Sequence, residues 1–214
     1  MSQQQDTYPV TLKGELTEPP SNALWLVKWL LAIPHCIILA FLWIGFVVAW
    51  VIALFAILFT GKYPRGLFDF NVGVLRWSWR VGFYTYHANG TDKYPPFTLE
   101  SIDDYPADLQ VVYPERLSQG LVLIKWWLLA IPHLIVISIF AGGWGWGWGQ
   151  LLWGGEGTGL VTILVIIASV ILLFTGKYNQ DIFKFVMAMN RWIYRVAGYV
   201  ALMTDEYPPF RLGD

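Results

Sequence analysis

Two long apolar stretches dominate this chain, Ala23 to Thr60 and Leu121 to Thr175, and polar residues gather outside them. No lysine or arginine lies between Lys28 and Lys62, or between Lys125 and Lys177. As one helix the first stretch would measure ~55 Å at ~1.5 Å per residue, well beyond a ~30 Å hydrocarbon core. The second contains a glycine-dense run, from Gly142-Gly143-Trp144 to Gly157, and each glycine costs a helix about 1 kcal/mol. Insertions are tolerated at turns rather than inside helices. The pattern therefore predicts two transmembrane hairpins, about 23–60 and about 121–175, with Trp43-Ile44-Gly45 at the first tip and a Gly/Trp-rich outer loop, 141–158, at the second. Thr-Gly-Lys-Tyr follows each hairpin and reads as a helix stop: glycine as left-handed cap, lysine snorkelling, tyrosine at the interface.

A third helical pattern follows each stop, about 66–87 and about 181–203. Asp69, Gly73, Arg76 and Arg80 recur three or four apart, as do Lys184, Ala188, Arg191 and Arg195. Such a narrow polar stripe on a Trp-rich helix predicts an amphipathic helix in the membrane interface. Val10 and Leu12, Leu109 and Val111, and Phe97 and Leu99 alternate with polar neighbours and suggest short strands at the cytoplasmic base.

These elements come in two copies. Lys28-Trp29-Leu30-Leu31-Ala32-Ile33-Pro34-His35 returns with one extra tryptophan as Lys125 to His133. Leu58 to Tyr63 returns unchanged as Leu173 to Tyr178, and Tyr94-Pro95-Pro96-Phe97 as Tyr207 to Phe210. The first repeat occupies residues 1–100 and the second 101–214, with the acidic stretch 100–108 as linker. The expected fold class is an all-α integral membrane protein of two repeated hairpins, each followed by an interfacial helix, with short cytoplasmic strands.

Charge and composition narrow the functional classes. Charged residues make up 14 % of the chain, against about 25 % in soluble proteins. A net charge of −1 argues against a nucleic-acid partner, which needs a clustered basic excess. The single cysteine, Cys36, excludes an internal disulfide and a cysteine-rich metal site. The first twenty residues lack an apolar core, so no cleavable signal peptide is expected. Basic residues flank the hairpins, and the positive-inside rule predicts a multi-pass membrane protein with both termini cytoplasmic.

Candidate site residues follow from the repeats. Arg76, Arg80, Arg191 and Arg195, with Lys62 and Lys177, suit phosphate headgroups at the cytoplasmic leaflet; general anchoring or internal pairing would use the same charges. His35 and His133 are the ionisable groups deep in each hairpin. A twofold arrangement would bring them together as a haem or metal pair or a proton relay; capping of a proline-freed carbonyl is the structural alternative. Trp144, Trp146, Trp148 and Trp153 in the outer loop suit membrane anchoring or contact with another membrane protein. There is no phosphate loop, nucleotide fingerprint or catalytic constellation, so no catalytic residue, metal or cofactor is expected.

Laid out this way, the chain resembles a bacterial membrane-protein family catalogued as domain of unknown function 4389. The resemblance rests on Lys28 to His35, Phe59 to Arg65, Gly66 to Phe70, Arg76-Trp77 with Arg80, and Tyr94 to Phe97, and covers nearly the whole chain as two copies. Copy two departs from it: Asn179 stands for the proline after the tyrosine, Lys184 for Asp69, and the Gly/Trp insertion is added. The resemblance implies a place in the bacterial inner membrane and no activity. The expectation is a non-catalytic accessory or scaffold protein binding membrane lipids and a membrane-protein partner or a second copy of itself. A small oligomeric channel or transporter is the alternative, and a haem- or pigment-binding protein a weaker one.

Overall fold

A computed structural model describes residues 8–16, 19–142 and 159–213. Its order is β1 (Val10–Gly14), α1 (Lys28–Thr60), α2 (Arg65–Tyr84), β2 (Ala107–Val111), α3 (Ile131–Ala141), α4 (Leu160–Thr175) and α5 (Gln180–Val200).

The first apolar stretch is one unbroken helix of 33 residues, about 50 Å long, not a hairpin. A single glycine costs too little to break a run of strong apolar helix formers. Gly45 instead admits a neighbour: a Cβ there would lie 3.1 Å from the Phe70 ring on α2. The turn comes at Gly61, which takes the left-handed conformation (φ 69°), its N–H bonded to the Ile57 carbonyl. Gly176 repeats this at the end of α4 (φ 68°). The helix stop is where the sequence puts it, but Tyr63 and Tyr178 are buried rather than interfacial. Tyr63 accepts a hydrogen bond from Asn71, and Tyr178 donates to the Ala88 carbonyl at 2.6 Å.

Copy two has the same helix in two pieces. The chain leaves α3 at Gly142 and re-enters at Gly159, where a Cβ would collide with the backbone of Ala141 and Gly142. Thus α4 resumes where α3 stops. The extra tryptophan is absorbed ahead of α3, as a π-helical turn over Lys125–Leu129. One added residue widens a single turn and leaves both flanks in register. The outer-loop tryptophans Trp144, Trp146, Trp148 and Trp153 lie outside the described residues.

The supposed interfacial helices α2 and α5 are instead the middle of the molecule. From Phe68 to Tyr84, and from Phe183 to Val200, most side chains are buried. Their arginine stripe faces other protein, so the Trp-rich remainder is free to pack on α1 and α4. Three layers result: an outer layer of α1, α3 and α4, a middle layer of α2 and α5, and the two-stranded sheet. Phe97 and Leu99 are outside the sheet.

The copies are related by a pseudo-twofold axis threading all three layers. In the antiparallel pairing of β1 with β2, Leu12 stands opposite Leu109, its own counterpart. Trp79 meets its counterpart Tyr194 edge-on at 5.4 Å in the middle layer. Each strand also crosses over: β1, at the start of copy one, packs on α5, and β2, at the start of copy two, packs on α2. Lys28 at the start of α1 binds Asn89, which binds Ser169 late in α4, while Gly61 at the end of α1 accepts from Leu117 near the start of copy two. The apolar helices of the two copies therefore run antiparallel, and the two hairpins expected with both termini on one side are not supported. One described helix, α1, is long and apolar enough to cross a membrane; α3 and α4 are shorter. A multi-pass arrangement is not supported.

Candidate functional site

The repeated motifs meet in one recurring cluster per copy. Pro34 removes an amide from the first turns of α1, and the Tyr94 hydroxyl donates to the Leu31 carbonyl, three residues before that proline, at 2.9 Å. One residue on, His35 is fully buried and its Nδ1 accepts a hydrogen bond from Trp77 Nε1 at 3.0 Å. Phe97 stacks on the imidazole with centroids 4.0 Å apart, and Tyr94 tilts against it at 4.8 Å. Copy two repeats each contact. Trp192 Nε1 donates to His133 Nδ1 at 3.1 Å, Phe210 stacks at 4.1 Å, Tyr207 packs at 4.8 Å, and its hydroxyl reaches the Leu129 carbonyl at 3.2 Å. The π-turn makes this agreement possible, by holding Lys125 and His133 at the separation a helix one residue shorter gives Lys28 and His35.

The lysine that opens each helix anchors the same clasp. Lys28 Nζ, 1 % exposed, donates to the Asn89 side chain and the Thr91 carbonyl, both at 2.7 Å, and pairs with Asp92 at 2.9 Å. Lys125 Nζ, also buried, donates to the Thr204 carbonyl at 3.0 Å and Asp205 at 2.8 Å. Asn89 has become Leu202 in copy two, and both hold a positive φ (47° and 65°). Asparagine tolerates that region and leucine rarely does, so the backbone shape is retained in copy two after the lysine ligand is lost.

Sequence reasoning did not reach Thr91, Asp92, Thr204 and Asp205. The signal was present: both Tyr-Pro-Pro-Phe segments are preceded by Thr-Asp and one further residue. Asp108 was missed as well. Arg76 Nε lies 3.0 Å from it and Arg80 3.4 Å. The two guanidiniums also hold the chain beyond Tyr-Pro-Pro-Phe, Arg76 through the Leu99 carbonyl and Arg80 through the carbonyls of Thr98 and Glu100. Arg195 binds the Gly213 carbonyl, the position equivalent to Glu100. Arg80 and Arg195 are buried and Arg191 half-buried; Asp69 pairs with Arg65, not Arg76. Lys62 and Lys177 are exposed.

The two histidines sit in separate clusters, each closed by its own tryptophan, tyrosine and phenylalanine. Neither Nε2 has a hydrogen-bond partner among the described residues, although the Pro208 backbone lies near His133. With Nδ1 accepting, each ring carries its proton on Nε2 and is neutral. Among the described residues no three His, Cys, Asp or Glu side chains gather as a metal site. On the axis between the copies is a cavity of about 40 Å³, lined by Trp43, Ser78, His87, Asn190 and Tyr194 among others, room for a few waters.

The model of one family, the domain of unknown function DUF4389, matches residues 22–98 and 157–211. The two segments cover more than half of the chain, one in each copy, and the chain belongs to that family as a tandem pair. No curated protein and no solved structure matches it.

Proposed function

We propose that this protein is a non-catalytic, lipid-embedded scaffold or accessory protein. One observation carries the reading: the outer layer presents a continuous apolar face. On α1 the exposed side chains Ile37, Phe41, Ile44, Val48, Phe55 and Phe59 follow the helical three-four spacing. Ile135 and Ile139 on α3 and Ile163, Ile167 and Phe174 on α4 continue the face, with Phe59 and Phe174 at 76 % and 82 % exposure. Soluble monomers rarely expose apolar patches beyond a few hundred Å². The charges of the repeated motifs meanwhile serve internal clasps, which supports a structural role for them. Headgroup contact then falls to the exposed Lys62 and Lys177.

Flotation of the purified protein with preformed phosphatidylcholine/phosphatidylglycerol vesicles tests lipid embedding, and co-floating protein is the expected result. Affinity isolation from native membranes, with and without residues 143–158, tests the scaffold role. A partner retained by the full chain is expected, and a protein that neither floats nor retains a partner contradicts the reading.

A further inference from the structure

The geometry points to a particular seat for this face: the outer layer lies flat in one leaflet, α1 parallel to the membrane plane and the pseudo-twofold axis along the membrane normal. This rests on the lipid-embedded reading above and specifies it.

The argument begins with what lies behind α1. A helix about 50 Å long and free of charge from Trp29 to Thr60 is ordinarily read as a crossing segment. Here the middle layer runs alongside it, and polar groups on that side are spread over its length. The exposed Arg65–Asp69 pair sits just past its C-terminal end. The Lys93–Asp104 pair sits by the clasp at its N-terminal end with Lys13–Glu15 in the same groove, and the sheet on the pseudo-twofold axis exposes Thr11, Lys13 and Gln110. A crossing α1 would carry this charged flank through the hydrocarbon, where ionised groups are costly unless turned inward.

A flat seat removes the conflict. An interfacial helix buries its apolar face to a depth of about 5–10 Å, close to the thickness of a single helix layer. The outer layer of this protein is one helix thick. Because α1 and α3–α4 run antiparallel about the axis, a flat seat presents both copies identically to lipid; a crossing seat would invert one against the other. The rim fits as well. Trp29 and Trp127 are exposed at the starts of the two apolar helices, each with its indole N–H bonded to a nearby carbonyl, and Lys62 and Lys177 are exposed at the ends. The twofold places one tryptophan and one lysine at each end of the layer, residue types that favour the headgroup zone.

The test uses full-length protein with Cys36→Ser as background and single cysteines at the two ends of α1, Ser21→Cys and Lys62→Cys, bound to preformed phosphatidylcholine/phosphatidylglycerol vesicles. A membrane-impermeant maleimide is added outside, before and after detergent. The flat seat predicts that both cysteines label fully without detergent. One end protected until detergent is added means that α1 crosses, and overturns the flat seat while leaving lipid embedding intact. Absence of the protein from the floated vesicles, or a discrete lipid-free dimer that no longer floats, overturns both. Val48→Arg, on the apolar face away from the core, keeps the circular dichroism of the parent and weakens vesicle binding about tenfold or more; unchanged binding counts against the face as the contact.

Discussion

Leu12 and Leu109 stand directly opposite one another in the sheet, and they occupy the same position of the two repeats. Because the strand that opens each copy covers the core helix of the other, the copies are interlocked rather than joined as beads. Residues 1–100 and 101–214 expressed apart are expected to lack a cooperative unfolding transition and to recover one when co-expressed. Leu109, fully buried, should lose about 2–4 kcal/mol as Leu109→Ala, read by denaturant unfolding.

The clasp makes a second prediction. Trp77→Phe keeps the ring contacts but leaves a buried imidazole nitrogen without its donor, at a cost of about 1–3 kcal/mol. Trp192→Phe should behave alike, since its geometry matches within 0.1 Å. A thermal-shift series separates this from a site in chemical use, which would make the two substitutions unequal in some activity and not in stability.

Replacing Asp92 by alanine leaves the Lys28 ammonium buried with two neutral acceptors. Since Asp92 is 32 % exposed, a loss of about 2–3 kcal/mol is expected. Asp205→Ala should cost more than Asp92→Ala, because Lys125 has no counterpart of the Asn89 contact. Equal losses in urea titrations would argue against this ranking.

Local pieces of this fold were legible in the repeats, and its architecture was not. The glycine caps at Gly61 and Gly176 and the strands at Val10 and Leu109 follow from local rules and are where those rules place them. The absence of a hairpin tip at Gly45 was not legible, because a glycine admitting the Phe70 ring and a glycine making a turn look alike in one dimension. Nor was the role of α2 and α5: two arginines on a Trp-rich helix suit a headgroup layer, and only the return of β2 with Asp108 turns those of α2 inward, and of the C-terminal segment at Gly213 that of Arg195. The histidine sites were half legible. Their depth and recurrence marked them, but their partners lie 42 to 62 residues away along copy one.

Burial holds the His87 imidazole below its ordinary value of 6.5, and among the described residues no charged side chain lines its cavity. The folded state thus resists protonation that the unfolded chain accepts. Its contribution to stability is complete above about 6.5 and declines as pH falls from there through the lowered folded value. His87→Gln should flatten the acid limb of a stability–pH profile; an unchanged limb assigns it to other groups.

The most direct test is a depth profile of α1 in lipid. Spin labels at Phe41, Val48 and Phe55, with Lys13 and Gln110 on the sheet as references, report their relative access to oxygen and to a water-soluble nickel complex. The flat seat predicts one common depth for the three helix positions and aqueous values for the sheet. A depth that peaks at Val48 and falls toward both ends would show α1 crossing the bilayer, and aqueous values at all five positions would remove the lipid face altogether.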